Sequence, residues 1–167
     1  LDSFTLFGFF PKRLIAPVFC TLNSVSTEMI AMANRLRARA YIDAPIGITP
    51  SQAITGRGPA GVINFNTSSA RARLFYPHVK VYDATTNADR LEPLSQRAAG
   101  LGNAIDIEKG YWWSMSNQEI AGITGVERTI SAMINDPNCE ANLLNEVGVV
   151  TLFNSFGTGL RTWGNRS

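Results

Sequence analysis

The stretch LIAPVFCTLNSVSTEMIAMANRLRARAYIDA, residues 14–44, decides the fold class. In its middle, residues 26–40 place Met29, Ala33, Leu36 and Ala40 at helical spacing, which predicts an amphipathic helix. Ser24 and Ser26 are placed to cap its start and Glu28 lies near the positive end of its dipole. Arg35, Arg37 and Arg39 lie near the negative end. Their alternate spacing spreads them around a helix instead of stacking them on one face, so they are expected to decorate a solvated helix end. On either side, residues 14–20 and 40–44 are short apolar runs that predict buried strands. Strand, helix and strand in succession imply two parallel neighbours joined by a crossover.

Downstream, Thr49-Pro50-Ser51-Gln52 combines a capping threonine, a proline at the first helical position and a glutamine three residues past the cap. A short second helix is expected there, ended by Gly56 and Gly58-Pro59. Residues 71–82 are rich in β-formers and predict one further strand, with Pro77 marking a bulge or an edge position. Residues 83–93 are polar and turn-rich and are expected to form a surface loop. A helix follows over 95–109, weakened by Gly100 and Gly102 and stopped by Gly110. Shorter elements come next: a strand near 125–131 and a helix starting at Asp136-Pro137. Residues 149–153 and 160–163 flank a turn and predict a hairpin. The sum is a single α/β domain over 1–167: a mixed β-sheet flanked by helices, with a C-terminal β-hairpin.

Fifteen Lys and Arg against thirteen Asp and Glu leave a charge of only +2, which points to neither a nucleic-acid nor an anionic-membrane partner. Cys20 and Cys139 lie far apart with no metal-ligand spacing, so buried, reduced thiols and a cytosolic site of folding are expected. No run is long and apolar enough for a membrane span. The chain opens at Leu1-Asp2 without Met and stops at Ser167, and is expected to be a fragment of a longer protein.

Catalytic signals are sparse. The one histidine, His78, falls in the strand predicted over 71–82, where a structural role is expected. Gly56-Arg57-Gly58-Pro59-Ala60-Gly61 has the spacing of a dinucleotide loop, with Asp83 some way beyond. It follows a helix instead of preceding one, however, and Pro59 removes an N–H, so a plain turn is the preferred reading. Asp106 and Glu108 point in different directions on their helix and are expected to be solvated. Tyr111-Trp112-Trp113 has the chemistry to stack on bases or sugars. Without a basic groove evident around it, the core is the expected place for Trp112 and Trp113, and for Trp163. Asp136, Glu140 and Glu146 lack calcium-loop spacing. No residue is nominated as catalytic, cofactor-binding or metal-ligating.

The segment Glu108-Lys109-Gly110-Tyr111-Trp112-Trp113-Ser114-Met115-Ser116-Asn117 resembles one found in contractile-tail sheath proteins of bacteriophages and R-type pyocins. Gly122-Ile123-Thr124-Gly125-Val126, Asp136-Pro137-Asn138, Gly148-Val149-Val150-Thr151 and Arg161-Thr162-Trp163-Gly164-Asn165-Arg166-Ser167 resemble further landmarks, in the family's order. The resemblance implies a structural subunit without cofactor or active site. Such subunits stack as hexameric rings around a tail tube and shorten to drive the tube through a bacterial envelope. Other sheath subunits, the tube, baseplate and tail terminator proteins are the implied partners, and the virion tail, assembled in the host cytoplasm, is the implied location. Two alternatives stay open at this point: a small α/β enzyme or nucleotide-binding domain using the Gly56–Gly61 loop, and the sheath of a type VI secretion machine.

Overall fold

The computed structural model describes residues 6–56, 69–133, 135–155 and 159–164. The chain enters through strand β1 (Arg13–Ile15), makes one 3-10 turn (Phe19–Thr21) and runs into helix α1 (Asn23–Leu36), which returns it to strand β2 (Arg39–Asp43). β1 and β2 are parallel with Leu14 opposite Ala40, as the strand–helix–strand pattern predicts. Helix α2 (Pro50–Thr55) starts at Thr49 with both hydrogen bonds of the expected capping box, 3.2 Å from Gln52 N to Thr49 Oγ1 and 2.9 Å from Thr49 N to Gln52 Oε1. Strand β3 (Ala72–Phe75) joins β2 in parallel. Strands β4 (Val79–Asp83) and β5 (Ala88–Glu92) form an antiparallel hairpin, and helix α3 (Leu94–Glu108) follows. The short strand β6 (Gly125–Val126), helix α4 (Glu140–Glu146) and the hairpin of β7 (Val149–Ser155) with β8 (Gly159–Trp163) complete the order.

The main sheet has the order β1-β2-β3-β7-β8, parallel throughout except for β8. A second, antiparallel sheet runs β5-β4-β6. The two-residue period of a strand sends alternate side chains to opposite faces, and each face of the main sheet is covered. On one face Leu14, Ala40, Ile42, Leu74 and Val149 pack with Met29 and Ala33 of α1, Ala53 of α2 and Leu144 of α4. On the other, Tyr41, Phe75, Val150 and Leu152 pack with Leu94, Ala98 and Ile105 of α3 and with Val79 of the second sheet. The α/β class, the flanking helices and the C-terminal hairpin agree with the sequence reading.

Five local expectations are corrected. Helix α1 starts and stops earlier than 26–40. Leu22 is its N-cap without a side-chain bond, and Ser26 lies inside the helix with its hydroxyl on Asn23 O. Arg37 takes left-handed geometry (φ 52°) and Ala38 N reaches back to Ala33 O, a helix-ending turn usually made by glycine. Arg37 and Arg39 therefore lie beyond the helix. The strand expected over 14–20 is confined to β1, since the chain turns at Pro17. Residues 71–82 are two strands in different sheets, because the chain leaves the main sheet at Tyr76-Pro77, and Pro77 has no N–H to continue a ladder. Residues 84–91 are exposed, but much of 83–93 is strand: a turn over 84–87 returns the chain as β5, which ends at the buried Glu92. Asp136-Pro137 forms a turn in which Asp136 accepts from the N–H groups of Asn138 and Cys139, and α4 begins only at Glu140.

Candidate functional site

At the end of the main sheet where β1, β2 and β3 begin, the register gathers positive charge. Arg13 lies opposite Arg39, and Tyr41 opposite Arg73. With a period of two, these four residues share the α3 face, and Arg71, two residues before Arg73, continues the row. Parallel strands all start at one end, so arginines scattered in sequence converge there. The left-handed turn at Arg37 adds another, and Lys12 sits at the rim. The loop after α3 forms the opposite wall of a cleft of about 430 Å³. Its Tyr111, Trp112 and Trp113 are 84%, 72% and 51% exposed, against the expectation that the two tryptophans fill the core. Gly110 makes this loop possible: its φ is 94°, and a Cβ there would stand 2.5 Å from Trp112 Cη2. Tyr111 meets Trp112 edge-on at 5.2 Å, and Lys109 lies over the Trp113 ring at 5.5 Å.

The arginines of the cleft are not equivalent. Arg13 is satisfied: it donates to Asp106 Oδ2 and Asn103 Oδ1, both at 2.6 Å, and to Tyr41 Oη at 3.2 Å. Asp106 is thus engaged in an ion pair, which its reading as a solvated carboxylate missed, whereas Glu108 is exposed as expected. Arg73 is only 7% exposed and its Nε has no hydrogen-bond partner. Its Nη1 lies 3.8 Å from Met115 Sδ, a weak acceptor. Burial holds Arg73 below the ordinary guanidinium value; Tyr41 opposes this and Arg39 and Arg13 add to it. No carboxylate pairs with Arg39, Arg71 or Arg73 among the described residues.

The other residues weighed in the sequence lie apart. His78 is buried where the chain passes between the two sheets, with Nδ1 3.8 Å from Glu127 Oε2, an ion-pair distance and too long for a hydrogen bond. Gly56 is the C-cap of α2, and its N–H is used on Gln52 O at 2.8 Å; residues 57–61 of that loop lie outside the described residues. Asp83 accepts from Thr85 N in the β4–β5 turn. Trp163 is half-buried against Phe153, ring centroids 5.5 Å apart, as a core role requires. Glu140 binds Ser131 reciprocally, and no cluster of His, Cys, Asp or Glu among the described residues has the arrangement of a metal site. Cys20 and Cys139 are both buried and free. The Cys20 thiol is pushed up to about 12, chiefly by burial and then by the neighbouring Asp43. No helix among the described residues is long and apolar enough to cross a membrane.

The cleft is thus open, aromatic-walled and rich in cations, and comparison with known proteins gives it a setting. Residues 1–167 match the family described as phage tail sheath protein central domain. The chain belongs to this sheath family. The sheath domain is 65% identical over 166 residues to the tail sheath protein of Burkholderia phage BcepMu, covering 99% of this chain and 35% of that protein. It is 37% identical to a putative prophage major tail sheath protein of Pseudomonas aeruginosa strain UCBPP-PA14, covering 100% of this chain and 41% of that one. The sheath domain therefore spans well under half of these relatives. Its fold also resembles a chain in the cryo-EM structure of the anti-feeding prophage baseplate, with a TM-score of 0.58 over 83% of this chain and 33% of that chain, at 22% identity.

Nothing in single residues announced the cleft. The usable signal was the recurrence of arginine at alternate positions, 35-37-39 and 71-73, just where strands begin.

Proposed function

We propose that this chain is the central domain of a contractile-tail sheath subunit. In this reading the full-length protein stacks as hexameric rings around a tail tube and contracts to drive the tube through a host envelope. It works by assembly and does no chemistry. The energy of contraction is held in an extended lattice whose subunits make better contacts once shortened. Its partners are further sheath subunits, the tube, and baseplate and terminator proteins; its place is the virion tail, built in the host cytoplasm. The observation that carries the reading is the family match along all 167 residues. The phage and prophage sources of the relatives favour a tail over a type VI machine. The nucleotide-binding alternative is weakened by Gly56, whose N–H is already spent inside α2.

The test is sedimentation and electron microscopy of the full-length protein beside the 167-residue domain. Long hollow tubes from the former and monomers or weak oligomers from the latter are expected. Stable tubes from the domain alone would mean that assembly needs nothing beyond these 167 residues. A full-length protein that stays monomeric under every assembly condition would remove the sheath reading itself.

A further inference from the structure

The cation-lined cleft is incomplete as it stands. Arg73 is more than nine-tenths buried, yet its Nε lacks an acceptor, and its guanidinium meets only the Tyr41 hydroxyl and the Met115 thioether, neither of them an anion at neutral pH. A buried guanidinium without a carboxylate is costly to the fold unless something supplies one. Asp106, the one acid among the described residues that line the cleft, is already held by Arg13 at 2.6 Å. Arg39 and Arg71 add two more cations with no carboxylate partner among the described residues. Facing them, Tyr111, Trp112 and Trp113 expose large aromatic surfaces that no described element covers. Arginine and exposed aromatic residues together are the composition of an interface centre.

We propose that this cleft receives the carboxylates of an acidic segment from an adjacent copy of the sheath chain, with Arg39, Arg71 and Arg73 as the receiving cations and Trp112 and Trp113 packing over the segment. This rests on the sheath reading. An inorganic anion would satisfy the arginines and leave the aromatic wall bare. Nucleic acid needs a track of cations along a surface, whereas these converge in one cleft, beside Asp106, in a chain of net charge +2. Every subunit carries the unpaired arginine, so the partner has to be present once per subunit, which another copy of the same chain is. The relatives are more than twice the length of this domain, which leaves ample chain to reach a neighbour.

Lys12 at the rim makes the partner identifiable, because a water-soluble carbodiimide joins an amine to a carboxylate in contact with it. Isotope-labelled and unlabelled copies of the full-length protein are mixed before assembly, treated, digested and read by mass spectrometry. Lys12 should be found in amide linkage to an Asp or Glu of a differently labelled copy, and the yield should fall at least tenfold in Arg39→Glu/Arg71→Glu. Linkage only within one copy, only to the tube protein, or not at all in well-formed tubes would overturn the proposal. A second arm needs no polymer: the dissociated full-length protein is titrated with fluorescein-labelled hexaglutamate and with a labelled single-stranded oligonucleotide. The peptide should bind, at least tenfold more weakly to the double variant, whose folding is checked by its melting curve. No peptide binding, or tighter oligonucleotide binding lost in the same variant, overturns it. If no tubes form, the sheath reading fails, and the titration still decides whether the cleft takes carboxylates.

Discussion

The carboxylate of Asp43, at the end of β2, caps helix α3 from outside it: Oδ1 accepts from the backbone N–H of Ser95 at 2.8 Å and Oδ2 from its hydroxyl at 2.5 Å. Pro93 occupies the N-cap and offers no side-chain acceptor, so the Ser95 N–H of the first turn depends on this long-range partner. Cys20 Sγ completes the cluster, 3.4 Å from Oδ2. Asp43→Ala strands the buried Ser95 N–H and should cost about 2–3 kcal/mol in urea unfolding. Asp43→Asn keeps an acceptor for it and should stay within about 1 kcal/mol of the parent. Burial raises the Asp43 carboxyl above its ordinary value of 3.8, although the Ser95 bonds pull the other way. The unfolded chain then releases this proton first, so stability falls as pH climbs from the ordinary aspartate range until native Asp43 has ionised. Subtracting the Asp43→Asn curve should isolate that fall; a difference flat from about pH 3 to pH 8 would refute it.

Two glycines of α3 should respond oppositely to alanine. A Cβ at Gly100 meets nothing within 4 Å, so Gly100→Ala should gain about 0.5–1 kcal/mol of helix propensity. A Cβ at Gly102 would lie 2.8 Å from Met115 Sδ and 2.9 Å from Arg13 Nε. Arg13 is pinned by Asp106 and cannot step aside freely, so Gly102→Ala should lose about 1–2 kcal/mol despite the same propensity gain. Paired thermal melts decide the matter. Equal stabilisation by both would mean that α3 does not press on Arg13.

Glu92 ends β5 with its carboxylate between Arg90, at 2.7 Å, and Arg97, at 2.6 Å. Burial works against its ionisation, but the bonds from the two arginines outweigh this and hold it below the ordinary glutamate value of 4.5. Its contribution is complete above that value and is lost as pH falls through the lower native one. Glu92→Gln should cost about 1 kcal/mol at neutral pH, a figure limited by the solvent around Arg90, and the cost should vanish in acid. Denaturant midpoints at a series of pH values give the answer. A loss that persists unchanged in acid would contradict it.

The capping box of α2 predicts a smaller, local effect. Thr49→Ala removes the bond to Gln52 N and should cost about 1 kcal/mol, while Thr49→Ser should be close to neutral. Amide hydrogen exchange at Ala53 and Gly56, which donate within this helix, should accelerate in the alanine variant alone.

Much of this architecture is legible in the sequence because it is local. The period of Met29, Ala33 and Leu36 and the apolar run Tyr41-Ile42 decide their elements within a few residues, and Thr49 to Gln52 carries a complete start signal. The failures share a cause in tertiary context. Arg37 ends α1 in a conformation that sequence associates with glycine. The β-rich letters of 71–82 do not say that the chain changes sheets at Pro77. Trp112 and Trp113 stay outside because the Gly110 turn carries them away from α3, and the groove beside them exists only once three strand starts lie side by side. Periodicity identifies faces; it does not identify which ends of which strands meet.

Both margins of the main sheet are blunted. β1 offers three residues between Pro11 and Pro17. Along the far side of β8, Asn117 N bonds to Thr162 O, Thr162 N to Gln118 O and Ile120 N to Leu160 O, so that side is already occupied. A sheet whose edges are this short or already hydrogen-bonded gives a stray strand little template for edge-to-edge stacking, so the contacts this fold offers to other chains lie in its side chains and not in its strand margins.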